Sequence, residues 1–289
     1  MINYLILSVL FSSITVSFFK LFEIKNVQTF QAIVMNYISC GIIGSLFAEQ
    51  TIFEAKVWTL PWYGYAVILG MLFISIFYCI GLTAQKLGVS VSMVAAKLSV
   101  VIPVLIALVF QGEQLNALTA AGIVLSLIAV FVMSSSSGSG ENKTQAKHYI
   151  WLPLAVFAGS GAIDTLLNHL NRTFIPPSTA DQIVTTIFMN AFVLGLAFMV
   201  YQLLAKKIVL DMKSFLWGLL LGVPNYFSMY FLVKTLNAFQ QASLVFPINN
   251  IGIVLMSSLM AFVFFKEKFN KQKMIGLALA SLAIVLMAI

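Results

Sequence analysis

The chain has 289 residues, of which 61% are hydrophobic and only 9% are charged. Soluble domains carry about 25% charged and roughly 45–50% apolar residues, so this excess is too large for one water-facing core. The composition therefore excludes a soluble enzyme, a disordered chain and a nucleic-acid-binding domain. The formal charge of +7 is explained by basic residues in the cytoplasmic loops of a membrane protein.

Long apolar runs predict an all-α membrane protein with ten transmembrane helices. A spanning helix needs about 20 mostly apolar residues, and these runs lack the alternation of barrel strands. The predicted spans lie near residues 2–20, 28–48, 62–83, 89–110, 117–134, 149–170, 182–203, 214–236, 241–265 and 274–289. Cys40 and Cys79 lie inside apolar runs, which indicates buried free thiols and neither a disulfide nor a metal site.

The chain also carries an internal repeat. Several pairs of polar and small residues recur at one constant separation, namely Asn36 with Asn190, Glu113 with Glu267 and Gly122 with Gly276. The predicted domains are a first repeat over 1–134, a polar linker over 135–148 and a second repeat over 149–289. Because each repeat has five spans, an odd number, the second enters the membrane upside down relative to the first.

The distribution of basic residues predicts the orientation in the membrane. The loops after the first, third, fifth, seventh and ninth spans carry most of the lysines, whereas the opposite side has only Lys56, Arg172 and Lys234. Basic loops face the cytoplasm, so both termini are expected on the non-cytoplasmic side. Inverted repeats are typical of secondary transporters, which bind substrate near the bilayer midplane between the repeats.

The ends of the two repeats resemble the EamA-type proteins of the drug/metabolite transporter superfamily. Residues 105–133 and 260–287 each read as an apolar helix, a short loop with Glu (Glu113, Glu267), and a helix opening near Gly (Gly122, Gly276). The resemblance implies ten helices around a central cavity, alternating access and a bacterial inner-membrane location, and it leaves the substrate open. Glu113 and Glu267 have two interpretations, capping of the next helix and gating.

Lys97 is the outstanding polar residue. It lies near the middle of the fourth predicted span, six residues before Pro103. A charge at that depth costs about 2.5–3.5 kcal/mol on insertion scales, so it normally faces a cavity or a partner. Lys97 is therefore predicted to contact substrate, and a buried structural ion pair is the alternative. The family pattern does not require a lysine here.

Asp164 and His169 in the sixth span are the candidate ion-coupling residues. Asp164 lies on one helix face with Asn168 and Asn171, where it can pair with Lys97 or exchange a proton. His169 is expected near the membrane surface, where an ordinary polar role is the alternative to proton relay.

Other polar and proline residues complete the predicted site. The candidate substrate-binding residues besides Lys97 are Asn36, Asn190, Asn225, Asn249, Asn250, Tyr78 and Tyr230, and the candidate helix-break or gating residues are Pro103, Pro224 and Pro247. Proline frees a carbonyl four residues earlier, and a membrane tolerates this break mainly beside protein or a wet cavity. For the amides and tyrosines, packing is the alternative to contact with substrate.

The sequence as a whole predicts a secondary active transporter, with export of a small polar metabolite such as an amino acid or organic acid. The alternatives are export of lipophilic cationic drugs, and a transport-inactive membrane sensor or subunit. No motif indicates an enzyme, a cofactor or a metal. The expected partners are a small-molecule substrate and the lipid bilayer, without nucleic acid, in a monomer or homodimer.

Overall fold

A computed structural model describes residues 2–48, 56–87, 89–110, 112–113, 116–135, 149, 151–174, 180–266 and 271–288. The predicted linker, apart from residue 135, and Glu267 lie outside the described residues. The described chain forms eleven α-helices, a short 3₁₀-helix at Val57–Thr59, and no strand. The all-helical prediction is therefore confirmed for these residues.

The helices follow the predicted apolar runs closely. They are α1 (Ile2–Ile24), α2 (Thr29–Phe47), α3 (Tyr63–Leu87), α4 (Val89–Leu98), α5 (Val101–Phe110), α6 (Ala117–Ser135), α7 (Trp151–Phe174), α8 (Ala180–Leu204), α9 (Met212–Phe239), α10 (Ala242–Phe265) and α11 (Lys271–Ala288). In the described part of the chain, six are long and apolar enough to cross a membrane: α1, α2, the Tyr63–Thr83 part of α3, α8, α9 and α10. Long apolar helices of this kind are compatible with a transmembrane protein.

The fourth predicted span is two helices and not one. Helix α4 ends at Leu98 and α5 begins at Val101. Pro103 has no N–H with which to reach the Ser99 carbonyl, and that carbonyl instead accepts a bond of 2.9 Å from the N–H of Ile102. The Ser99 hydroxyl donates to the Ala96 carbonyl at 2.7 Å. The break expected from Pro103 thus falls at residues 99–100.

The breaks expected at Pro224 and Pro247 do not occur, because α9 and α10 continue through these prolines. In α9, side chains of α2 bond to backbone carbonyls near Pro224. The Ser39 hydroxyl donates to the Leu219 carbonyl at 2.8 Å, and the Cys40 thiol donates to the Gly222 carbonyl at 3.3 Å. Such neighbouring donors are one way in which proline is tolerated inside a membrane helix.

The chain divides into two compact units, and each combines segments from both halves of the sequence. The first unit comprises Met1–Phe77 and Leu166–Ala238. Within it, α2 packs along α8 and against α9. A Cβ atom built on Gly218 would lie 2.3 Å from the Ala32 carbonyl oxygen, and one on Gly222 would lie 2.4 Å from the Ser39 Cβ. The Gly218–Gly222 pair, two small residues one helical turn apart, is therefore a packing contact inside the unit.

One polar network of the first unit joins the first turn of α2 to the loop before α9. The Gln31 amide donates to the Val209 carbonyl at 2.6 Å, and its oxygen accepts the Asp211 N–H at 2.9 Å. Asp211 caps α9, because its carboxylate accepts the N–H groups of Lys213 and Ser214, each at 3.2 Å, and the Ser214 hydroxyl. These hydrogen bonds from Ser214 and the backbone lower the pKa of the Asp211 carboxyl.

The second unit comprises Tyr78–Thr165 and Phe239–Ile289. In it α6 packs along α11, α5 packs against α10, and α4 packs against α6. A Cβ on Gly122 of α6 would lie 2.7 Å from Met287 Cγ and 3.0 Å from the Ala283 carbonyl oxygen. Gly122 therefore permits the close approach of α6 and α11 that the small-residue pattern predicts.

Candidate functional site

The break between α4 and α5 positions Lys97 in the second unit. Lys97 occupies the last turn of α4, where the partial negative charge of a helix C-terminus favours a cation. Its Nζ donates a hydrogen bond of 2.9 Å to Oδ1 of Asn250 on α10. Asn250 follows Pro247 by less than one turn of that helix. Two residues predicted to contact substrate are thus brought together.

Asp164 lies on α7 near the same pair. A Cβ on Gly161, one turn earlier, would lie 2.4 Å from Ile102 Cδ1, so α7 approaches α5 beside the break. Lys97 and Asp164 interact electrostatically. They form no direct salt bridge, since the ion pair within 4.0 Å found among the described residues is Lys20–Glu23. The alternative in which Lys97 is neutralised by direct contact with Asp164 is therefore not the observed arrangement.

The Lys97 site, defined here as Lys97, Asn250 and Asp164, combines a cation, an amide and a separated carboxylate. All three side chains are partly accessible although protein atoms surround Lys97 and Asp164. An amide is a neutral partner, so the Lys97–Asn250 bond leaves the ammonium charge uncompensated by direct contact. The arrangement can therefore accept an anionic group.

The remaining predicted residues of the second unit lie in α3, α5 and α10. Asn249 is 5% exposed, Pro103 and Pro247 are buried, and Tyr78 is partly buried.

In the first unit, Asn36 and Asn225 bond to each other. The Asn225 Nδ2 donates to Asn36 Oδ1 at 3.1 Å and contacts Cys40 Sγ at 3.8 Å, and Cys40 Sγ lies 3.6 Å from Asn36 Oδ1. All three side chains are buried. This geometry supports the packing alternative for Asn36 and Asn225, joining α2 to α9. No local feature of the sequence indicates that Cys40 takes part in this contact.

Asn190 does not bond to its repeat counterpart Asn36. Its Nδ2 is buried and has no hydrogen-bond partner in the described part of the chain. It lies at a close contact between α3 and α8, where a Cβ on Gly70 would be 2.7 Å from Asn190 Cβ.

His169 is exposed, as expected of a residue near the membrane surface. Its ring lies 5.4 Å from the Tyr65 ring and 6.5 Å from the Phe174 ring. These aromatic contacts favour the ordinary polar role over proton relay.

Glu113 caps a helix, but the helix differs from the one expected. Its carboxylate accepts the N–H groups of Ala242 at 3.1 Å and Ser243 at 3.0 Å, and the Ser243 hydroxyl. These groups begin α10, whereas the following helix, α6, is capped by Asn116, whose Oδ1 accepts the Thr119 N–H at 2.6 Å. Glu113 thus fixes the helix that carries Asn250.

Sequence reasoning missed Asp181 altogether. Asp181 lies in the first turn of α8 and is only 8% exposed. It interacts electrostatically with Tyr226 and Tyr230 of α9, of which only Tyr230 was predicted as a site residue. A carboxylate one residue outside a predicted span is read as a loop residue, which explains the omission.

Comparison with known proteins supplies a fold and no activity. No family model matches the chain. It is 27% identical, over 97% of its length and 95% of the relative's, to an uncharacterized protein of Haemophilus influenzae. It also resembles a protein of known crystal structure with a TM-score of 0.73 and 15% identity, covering 98% of this chain and 94% of the other. At that identity the likeness concerns the fold alone.

Proposed function

We propose that this protein is a secondary active transporter that exports a small polar metabolite with an anionic group, such as an amino acid or organic acid, by alternating access. The observation that carries the proposal is the hydrogen bond of 2.9 Å between Lys97 and Asn250. A cation within an apolar span is a functional-site hypothesis by default, and its neutral partner is one that a substrate carboxylate can replace.

The break in the fourth span supports the same role. Secondary transporters bind substrate at discontinuous helices, where the N-terminal end of a half-helix faces an anionic group. Helix α5 begins at Val101, four residues after Lys97. Its N-terminal end carries partial positive charge, which adds to that of Lys97 at the same point of the span.

The helix pairs support an organisation in two inverted five-helix repeats with ten spans. Helices α2 and α8 carry the repeat partners Asn36 and Asn190, and they pack together. Helices α6 and α11, the last helix of each repeat, also pack together. So do α5, the second part of the fourth span, and α10, which corresponds to the ninth span. Pairing of each helix with its own counterpart is expected of two repeats related by a twofold axis.

Family, location and orientation belong to the same proposal. We place the chain with EamA-type transporters of a bacterial inner membrane, with both termini on the non-cytoplasmic side and as a monomer or homodimer. The lysines of the first unit's loops support this orientation. The Lys213 ammonium, in the first turn of α9, donates to the Lys25 carbonyl in the loop after α1. These two basic segments therefore lie together, as the positive-inside rule requires of basic segments on one side.

Export of lipophilic cations by the Lys97 site is disfavoured by its charges. Such a substrate needs a carboxylate free of a nearby cation, and Asp164 has Lys97 close enough to interact electrostatically. The position of Asp164 is more consistent with ion coupling, or with contact to a substrate amine. Roles as a sensor or as a membrane enzyme have no observation of this kind in their favour.

The proposal is tested by ligand binding and by transport. Purified protein is screened by thermal unfolding against amino acids, organic acids and lipophilic cations, because a ligand that binds only the folded state stabilises it by RT ln(1 + [L]/Kd). The stabilising compound is then followed as a radiolabelled substrate in proteoliposomes. We expect Lys97→Ala to abolish both the stabilisation and the transport, and Lys97→Arg to retain part of each.

Lys25→Ala is the matched control, since it removes an exposed lysine outside the Lys97 site. Unchanged affinity and transport in Lys97→Ala contradict the proposal. Transport of lipophilic cations in proteoliposomes, retained in Lys97→Ala, favours the alternative function.

A further inference from the structure

The first unit contains a second polar cluster, which the proposed transport site does not use. We define the Asp181 cluster as Asp181 and Thr185 of α8 with Tyr226 and Tyr230 of α9. The Thr185 hydroxyl donates to the Asp181 carbonyl at 2.7 Å, and Asp181 interacts electrostatically with both phenols. Carboxylate and phenol groups from two apolar helices thus converge.

Gly44 of α2 brings the two helices of the cluster together. A Cβ at this position would lie 2.0 Å from the Thr185 hydroxyl oxygen and 2.8 Å from Cε2 of Tyr226. Any side chain larger than that of glycine would therefore separate Thr185 from Tyr226. The cluster is therefore a tightly packed part of the unit.

The oxygens of the Asp181 cluster are sparsely hydrogen-bonded. The Tyr226 hydroxyl is buried and lacks a partner of regular hydrogen-bond geometry in the described part of the chain, with the Thr185 hydroxyl as its near neighbour. Asp181 is 8% exposed and Tyr226 is 1% exposed. Buried polar groups without partners are costly and call for an explanation. A carboxylate at a helix N-terminus is explained by the helix dipole, but the phenols are not.

Aromatic rings surround these oxygens. Tyr226 stacks on Tyr230 with ring centroids 5.9 Å apart, and Tyr4 stacks on Phe231 at 6.2 Å. The Lys234 ammonium lies 5.4 Å from the Tyr230 centroid. This contact shows that a ring of the cluster attracts a cation. The surroundings therefore suit a ligand with an apolar body next to a positively charged group.

We infer that the Asp181 cluster binds a primary organic ammonium ion with an aromatic or aliphatic body. Its ammonium donates to the Asp181 carboxylate and the two phenol oxygens, and its body packs on the Tyr226 and Tyr230 rings. A primary ammonium carries three donors and no acceptor, which matches the acceptor oxygens of one carboxylate and two phenols. This binding site is in the first unit and is independent of the Lys97 site.

Benzylammonium is the probe, and benzyl alcohol is its neutral analogue of the same shape. Binding to the purified full-length protein is measured by titration calorimetry at neutral pH, with NaCl as a separate titrant. We expect benzylammonium to bind and benzyl alcohol not to bind. Asp181→Asn should weaken binding by about tenfold or more, because hydrogen bonds to charged groups are lost.

Asp211→Asn is the matched control, because it is the same substitution at a partly exposed position of the same unit. Its affinity for benzylammonium should equal that of the wild type. Tyr226→Phe removes only the buried hydroxyl, so it should weaken binding without lowering the unfolding temperature. If Asp181→Asn does not fold, Tyr226→Phe still tests whether the cluster binds benzylammonium. Lys97→Ala should bind benzylammonium normally, which separates this inference from the proposed function.

Four results would overturn the inference. Benzylammonium does not bind, or benzyl alcohol binds as tightly as benzylammonium. Alternatively, NaCl alone gives a heat of binding, or both Asp181→Asn and Tyr226→Phe bind benzylammonium as tightly as the wild type.

Discussion

Glu113 accepts hydrogen bonds from both the backbone N–H and the hydroxyl of Ser243, a residue 130 positions further along the chain. A loop carboxylate after α5 thereby satisfies the N-terminal donors of α10. The contact fixes the start of the helix whose Asn250 meets Lys97.

Removal of this cap should destabilise the protein. We expect Glu113→Ala to lower the free energy of unfolding by about 0.5–2 kcal/mol, the range for loss of an N-cap. The measurement is reversible unfolding in mixed micelles. The control is Glu23→Ala, which removes an exposed ion pair with Lys20 worth about 0–1 kcal/mol. Equal small effects of the two substitutions would show that the Ser243 contact is not a stabilising cap.

The bond between Lys97 and Asn250 should appear as an energetic coupling. In a double-mutant cycle of Lys97→Met and Asn250→Leu, we expect a coupling energy of about 1–3 kcal/mol in unfolding free energy. The matched cycle pairs Lys97→Met with Asn36→Leu, whose amide bonds to Asn225 in the first unit, and should be additive within about 0.5 kcal/mol. Additivity in both cycles would mean that the contact is not formed in solution.

The packing of α2 against α9 depends on the absence of a side chain at Gly222. A Cβ there would lie 2.7 Å from the Asn36 carbonyl oxygen as well as close to Ser39. We expect Gly222→Ala to destabilise the protein by about 1–3 kcal/mol through overpacking. Gly81→Ala is the control, because nothing lies within 4 Å of its Cβ position, and it should be neutral or stabilising. A neutral Gly222→Ala would show that the helices are not held this closely.

The cap formed by Asp211 should make stability depend on pH. The pKa of this carboxyl is lower in the folded protein than in the unfolded chain because Ser214 and the backbone donate to its charged form. Its contribution is therefore present above the unfolded pKa and is lost as the pH falls through the folded pKa. We expect the stability difference between wild type and Asp211→Asn to shrink on acidification. The check is the unfolding midpoint of both proteins as a function of pH, and a difference that grows in acid would contradict this account.

The sequence predicts the helices well because apolar length alone determines where they form. It also places a break beside Pro103, since a missing N–H acts locally. The same rule fails at Pro224, where α9 continues. Ser39 and Cys40 of a distant helix donate to the nearby Leu219 and Gly222 carbonyls. Local chemistry predicts the loss of the hydrogen bond to the Leu220 carbonyl, whereas the packing of α2 around the proline has no local signal.

Some residues of the candidate site are likewise predictable from the sequence, and others are not. Lys97 is identifiable because a charge is exceptional in an apolar run, and its contact with Asn250 joins two residues already singled out. The capping of α10 by Glu113 has no local signal, since the partners are far apart in sequence. Asp181 is missed because its environment consists of Tyr226 and Tyr230, which look like ordinary aromatic residues of an apolar span.

The pairing of α6 with α11 determines the order in which the chain can fold during synthesis. Helix α6 is translated before its partner exists, and four further helices are made before α11 completes the contact around Gly122. The second unit therefore closes only after Lys271–Ala288 has been synthesised, whereas the helices of the first unit are all synthesised earlier.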